Sequence, residues 1–519
     1  MNKKKQHGDF QTPLSLTVKI CNLLKKNGVN PEVLIEPTCG KGNFIIAALK
    51  TFHSIQTIYC MDIQKHYEHQ FKDNLENSGL NFQDINFQWI NGDVFHHAFP
   101  KTQFKEKRIL ILGNPPWVTN TYLSKIDSAN MPAKRNIKQL KGLDAITGKS
   151  NFDIAESIIV RLVNEFQDFE VDIAMLCKNT VVRNLIRDAE KLDVKFKKIK
   201  AYSIDSKEEF GISAAASLIH GKVGEIGTNT CEIASLDKPS EINVEFGWVN
   251  GKFVSDISAY KEVRQIDGKC IKEWRQGVKH DAAKIMILEK NSNGTYSNGW
   301  GEAVDIEEDL LYPFIKGSGL RVPVVNDTNL YIITTQQELN QETSYIKDNH
   351  PKTWKYLLEN AEKLDGRGSS IYKNRPRFSI FGIGDYSFKP YKIGISSFYS
   401  SPIFCLINHI GNKPVLVDDT SYIISFNNPY EAITIWGLLN SEPCKKFLKS
   451  ISFSENKRVF TKGRLMRVDL WKLSNNIDKD KVLKDIVNDL KSYNYTTRDE
   501  ISIENVDLVL QELKQEKLV

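Results

Sequence analysis

Short apolar runs recur through roughly the first 235 residues, each ending in a polar, turn-forming cluster that leads into a helix-period stretch. The first run is 33–37 (VLIEP), after which TCGKGN turns into the helical segment FIIAALKTF. Runs 57–63 (TIYCMDI), 87–93 (FQWINGD) and 108–114 (RILILGN) read as the next three strands, with 171–178 (VDIAMLCK) and 215–221 (AASLIHG) following. Strands at this spacing, with helices between them, predict an α/β fold: a Rossmann-like, doubly wound, mostly parallel sheet with helices on both faces.

From about residue 236 the pattern changes. Turn-rich stretches (DKPSEIN, NSNGTYSNGWGE, IFGIGDYSFKP) separate short strand-like runs such as LYIITT and SYIISF, and βα alternation is no longer visible. The chain therefore divides into a first domain, 1–240, and a second, mixed α+β domain, 241–519. Helix-period segments KVLKDIVNDLKSY and VDLVLQELKQEK close the chain.

The strand ends carry the candidate chemistry. Gly40 and Gly42 permit a tight turn and close approach of a ligand to the backbone after the first strand. Glu36, just before them, is placed to face the positive end of a methionine-like group. Asp62 ends the second strand, where a carboxylate accepts hydrogen bonds from ribose hydroxyls in dinucleotide-type folds. Asp93 follows the third and is placed to meet an adenine amine. Singly, each acid is equally a cap or loop residue; together, at three successive strand ends, they point to a nucleoside-bearing cofactor.

GNPPW (113–117) follows the apolar run ILIL. An exocyclic aromatic amine is a poor nucleophile, because its lone pair is delocalised into the ring. Two acceptors aimed at its N–H bonds orient it and stabilise the charge that develops on attack. Asn114 offers a side-chain carbonyl and Pro115 a backbone carbonyl, while Pro115 and Pro116 stiffen the loop and add no competing N–H. Trp117 is suited to stacking on a flat heterocycle.

The set HGDFQTP (7–13), IEPTCGKGNF (35–44), MDI (61–63), GDVF (92–95) and GNPPW (113–117) resembles the amino-methyltransferases of restriction–modification systems, in the motif order of their gamma group. The resemblance implies S-adenosyl-L-methionine as cofactor. Thr12 and Pro13 would belong to a segment closing over it. Glu36, Pro37, Gly40 and Gly42 would form its loop, Asp62 and Ile63 would meet the ribose side, and Asp93, Val94 and Asn114 would complete the site. Asn114, Pro115, Pro116 and Trp117 would be the catalytic motif, of the form that indicates N6 of adenine. EEFGISAAASLIHG (208–221) is similar to the segment whose Phe packs on a flipped base, here Phe210, so that Trp117 and Phe210 would flank the target. This chain departs from relatives in having Trp at 117 instead of Tyr or Phe, Asp at 62 where several carry Glu, and Val at 94 where some carry an aromatic.

The second domain bears on the substrate. Stretches 274–288, 310–320, 378–399 and 418–426 loosely resemble the target-recognition domains of DNA adenine methyltransferases. Lys445, Lys446, Lys449, Lys457, Arg458, Lys462, Arg464, Arg467 and Lys472 form a basic stretch, and Tyr372, Lys373, Arg375 and Arg377 a second. Of these, Lys373, Arg375, Arg377, Lys457, Arg458, Lys462 and Arg464 are the expected contacts to double-stranded DNA. The net charge of +6 permits a polyanionic partner without requiring one. Methylation of RNA adenine or of a protein glutamine uses the same chemistry but calls for a smaller accessory part. A non-catalytic DNA-binding specificity protein is at odds with the intact Asn114–Trp117 motif. No nuclease motif stands out, so a cognate restriction endonuclease would be a separate chain. Eight scattered cysteines without zinc-ligand spacing imply no metal and a reducing, cytoplasmic setting. No apolar stretch reaches membrane-spanning length.

Overall fold

A computed structural model describes residues 11–118, 153–224, 227–493, 495 and 501–518. The chain divides into two compact units, Met1–Ser258 and Ala259–Val519.

The strands of the first unit are β1 (Val33–Glu36), β2 (Thr57–Asp62), β3 (Asn86–Asn91), β4 (Ile109–Gly113), β5 (Val171–Lys178), β6 (Phe196–Ile204), β7 (Ala216–Val223), β8 (Thr230–Ser235), β9 (Ile242–Val249) and β10 (Lys252–Val254). They form one sheet in the order β10-β9-β8-β6-β7-β5-β4-β1-β2-β3. The five strands β3-β2-β1-β4-β5 are parallel, in the order expected of a doubly wound fold. Every residue of β1 and β4 is buried, as strands covered on both faces require. Strand β7 runs antiparallel between β5 and β6.

Strand β6 escapes the apolar-run reading because Lys197, Lys198 and Lys200 interrupt its buried positions. Strand β8 pairs in parallel with β6, and β9 and β10 add antiparallel ribbons. Since these last two lie beyond residue 240, the first unit extends to Ser258.

The first helices are α1 (Leu14–Lys26) and α2 (Asn43–Thr51), which pack together. Helix α1 buries Leu16, Ile20, Leu23 and Leu24 at helical spacing. They are followed by α3 (Tyr67–Glu76), α4 (Ile154–Glu165), α5 (Asn179–Arg187) and α6 (Ser206–Phe210). The strand order reverses between β1 and β4. A crevice beyond the carboxyl ends of the strands at that reversal is where ligands bind in such sheets.

The second unit is α+β. It holds a five-stranded and a six-stranded sheet, with helices Pro429–Asn440, Lys479–Ser492 and Ile503–Leu518 near its end. The four stretches singled out in the sequence converge through backbone hydrogen bonds: Gly277 donates to Ser421 at 3.1 Å, Lys279 to Phe381 at 2.8 Å and Asp418 to Ile315 at 3.1 Å. All eight cysteines are buried and free, serving as small core residues. Among the described residues no helix is long and apolar enough to cross a membrane.

Candidate active site

The carboxyl ends of β1, β2 and β4, at and beside the strand-order reversal, carry Glu36, Asp62 and the 114–117 loop. After β1 the chain turns through Gly40 (φ +50°) and Gly42 (φ +77°), both in the left-handed region. A Cβ on Gly40 would stand 2.7 Å from the Gln11 amide, and one on Gly42 only 2.1 Å from the Phe71 ring. The loop is braced from three sides. The Gly40 amide donates to Asp62 Oδ2 at 2.9 Å, the Lys41 amide to Gln11 Oε1 at 3.1 Å, and Asn43 Nδ2 to the Thr12 carbonyl at 2.8 Å. Pro13 stands at the N-cap of α1, its carbonyl accepting from Thr17. Residues 7–10 of the predicted closing segment lie outside the described residues.

Asp62 ends β2, 8% exposed. Besides Gly40 it accepts from the Gln64 amide at 2.8 Å, so it shapes the loop. Asp93 caps its own turn, accepting from the Phe95 amide and lying 2.9 Å from His96 Nδ1. Val94 is buried, whereas Ile63 is 52% exposed beside Asp62, an apolar side chain that a flat ring would cover.

Glu36 and its neighbour Pro37 are buried at the end of β1. Burial, and then the charge of Asp62, push the Glu36 carboxyl well above the usual carboxylate range, against the lowering effect of the Ile45 amide. Glu36 Oε2 and Thr38 Oγ1 are buried with no hydrogen-bond partner among the described residues. These unpartnered polar atoms, beside the Cβ-less Gly40 and Gly42, fit a ligand carrying an ammonium or sulfonium group and hydroxyls.

The 114–117 loop leaves β4 next to β1. Asn114 Nδ2 donates to Thr12 Oγ1 at 3.2 Å, which ties the motif loop to the segment before α1. Pro115 is buried and Pro116 half-buried. Trp117 is 8% exposed, and its Nε1 donates to the Leu176 carbonyl at 3.2 Å. Its ring meets that of Phe210, the last residue of α6, edge to face with centroids 5.4 Å apart. The sequence predicted two rings flanking a base. A ring slotted between them would need roughly 7 Å of separation, twice the ~3.5 Å contact distance. As they stand, Trp117 and Phe210 form one wall.

Residues 1–184 match the family model described as N-6 DNA Methylase. The Type II methyltransferase M.NspV of Nostoc sp. (strain ATCC 29411 / PCC 7524) is 40% identical over 472 residues, 90% of this chain and 97% of that protein. The chain belongs to the type II methyltransferases. Solved structures resemble it slightly. The type I restriction-modification system methyltransferase subunit from Streptococcus thermophilus aligns at 12% identity and TM-score 0.31, over 49% of this chain and 52% of its own. TrmN from Thermus thermophilus aligns at 15% identity and TM-score 0.23, over 39% and 47%.

In the second unit of this methyltransferase, the predicted basic residues divide. Arg377 forms a bidentate pair with Asp365 (closest approach 2.7 Å), Lys462 pairs with Glu273 at 2.7 Å, and Lys446 with Glu262. Arg458 donates to the Asp419 carbonyl at 3.2 Å and Arg464 to that of Val459. Arg467 pairs with the buried Asp267. Among the described residues, the side chains of Lys373, Arg375 and Lys457 make no ion pair or hydrogen bond. Two residues the sequence reading passed over stand at the exit of the motif loop: Lys178, at the end of β5, donates to the Trp117 carbonyl, and Asp153, at the start of α4, pairs with Lys178.

Proposed function

We propose that this methyltransferase moves a methyl group from S-adenosyl-L-methionine to the N6 amine of an adenine flipped out of duplex DNA, as the modification half of a restriction–modification system. The observation that carries the reading is the placement of Asn114 and Pro115 at the β1/β4 reversal, between the Gly40–Gly42 loop and the Trp117–Phe210 wall. The N-6 DNA Methylase match and the likeness to M.NspV, which runs through both units, support DNA adenine as acceptor. By the same reading, a separately encoded restriction endonuclease would share the target sequence.

The cofactor supplies an electrophilic methyl on a sulfonium. Glu36 and Thr38 would hold its charged end, Asp62 its ribose, and Ile63, Asp93 and Val94 its adenine. An adenine within the duplex hides N6, so it must leave the stack, at a cost of a few kcal/mol. The Trp117–Phe210 wall gives it a surface to stack on. Asn114 Oδ1 and the Pro115 carbonyl accept its two N–H bonds, hold the lone pair toward the methyl, and stabilise positive charge as the amine is alkylated. The surplus proton then passes to solvent.

The test is incubation of the purified protein with plasmid DNA and S-adenosyl-L-methionine, then mapping of modified bases by single-molecule sequencing. N6-methyladenine at one recurring sequence is expected. Asn114→Ala should lose about 10²–10³-fold in kcat while still binding cofactor. Modification of another base, or of none, would remove the reading.

A further inference from the structure

The 114–117 loop has an anchoring problem that its own sequence creates. Pro115 and Pro116 carry no N–H, so the middle of the loop cannot be tied down by backbone donors. Its geometry must be set at its two ends. At the entrance, Gly113 is paired with Met175 in the β4/β5 ladder. At the exit, the Trp117 indole N–H reaches Leu176 of the same strand. Two positions further along β5, Lys178 Nζ donates to the Trp117 carbonyl at 2.9 Å and pairs with Asp153 Oδ2 at 2.7 Å. The other Asp153 oxygen accepts from the Ala155 amide at 3.1 Å as the N-cap of α4, and the Ile154 amide donates to the Val118 carbonyl at 2.9 Å.

The Lys178 and Asp153 side chains are only 23% and 8% exposed. Burial pushes the Asp153 carboxyl upward, opposed by Lys178, so the pair sits where charge is costly. An ion pair in such a place is poor as a stabiliser and better understood as a device that specifies geometry.

We infer that Lys178 and Asp153 are positioning residues for the methyl-transfer site, a charged clamp that fixes the exit of the 114–117 loop to β5 and α4. The clamp sets where the Pro115 carbonyl and the Trp117 ring stand relative to Asn114. Both act through the loop, and no contact with substrate is assigned to either. The inference rests on the reaction proposed above, in that the loop is taken to hold the target amine.

The experiment uses the full chain and three variants. Lys178→Met removes the clamp. Asp153→Asn removes its charge while keeping an N-cap on α4, since Asn caps as well as Asp. Lys178→Arg retains charge and donors. Hydrogen exchange of the peptide spanning 113–118, read without substrate, should speed up roughly tenfold in Lys178→Met and Asp153→Asn, with 33–62 unchanged. Steady-state methylation should show kcat down about 10- to 100-fold in both, KM for cofactor and DNA within about twofold, and substantial rescue in Lys178→Arg. Unchanged exchange at 113–118 would overturn the clamp. So would accelerated exchange throughout the first unit, the mark of a merely structural pair. Failure of the proposed reaction would appear instead in the wild-type chain as absence of methylated adenine, with the exchange result still judging the clamp.

Discussion

Glu36 is an acid whose surroundings withhold its charge. Buried at the end of β1 and close to Asp62, its carboxyl is held well above the usual range. It therefore stays protonated at pH values where an exposed glutamate is ionised. A positively charged ligand group favours the ionised form, so cofactor binding should expel a proton from Glu36. The sign follows: affinity should rise with pH up to the raised pKa of Glu36 and level off above it. Calorimetry of S-adenosyl-L-methionine binding in buffers of different ionisation enthalpy should show proton release, and Glu36→Gln should abolish both the release and the slope. Binding without proton exchange would separate Glu36 from the cofactor. Asp62 is a different kind of acid, already accepting from the Gly40 and Gln64 amides, and its loss would cost the loop its shape as well as any ribose contact.

Among the elements, the strand Tyr391–Ser396 of the second unit carries an unexpected burden. Lys392 is 0% exposed within it, beside Ile407 and Ser425 in the ladder, and its ammonium donates to the Lys389 carbonyl. Burial lowers its pKa to about 7. The unfolded chain, with an ordinary lysine near 10.4, binds that proton more readily than the folded one. The contribution of Lys392 to stability should therefore be greatest above the unfolded value and decline as pH falls toward about 7. Replacing it with an apolar residue of similar length removes the penalty. Lys392→Met should stabilise the protein at pH 7 by on the order of 1–4 kcal/mol, and the gain should shrink toward pH 10. Denaturant unfolding of both chains at the two pH values measures this. A variant less stable at pH 7 would mean that Lys392 has a partner worth its burial.

For the whole molecule, a net charge of +6 says less about DNA than the way the charges are used. Arg377, Lys446, Lys462 and Arg467 are engaged within the second unit. The exposed pairs among these, those of Arg377, Lys446 and Lys462, are worth little and can reorganise on a phosphate backbone. Lys373, Arg375 and Lys457 have no such competitor among the described residues. The triple substitution of these three by Ala should weaken duplex binding at every sequence and reduce the slope of log K against log salt by roughly one per side chain removed. S-adenosyl-L-methionine binding should be unaffected. An unchanged salt slope would place the DNA elsewhere on the protein.

How much of this was readable from the chain depends on the range of the interaction concerned. Strands β1, β2, β4 and β5 announce themselves as apolar runs closed by turn residues, because burial on both faces of a parallel sheet demands them, while the edge strand β3 and the antiparallel β7 are marked by the same local run and turn. The Gly40–Gly42 turn and the Asn114–Trp117 loop are equally local, being matters of backbone freedom and of what each residue type can donate or accept. Strand β6, by contrast, is held by neighbours on either side despite its lysines, and β9 and β10 extend the first unit past the compositional break near 236. Pairing also decided what each charged or aromatic side chain does. Asp62 braces Gly40, Trp117 touches Phe210 directly, Lys178 finds Asp153, and Lys462 finds Glu273 across a long separation in the chain. Periodicity and turn chemistry reside in a few consecutive residues and so belong to the sequence by itself. The partner of a side chain is whichever group the folded backbone brings within reach, and only the tertiary structure decides that.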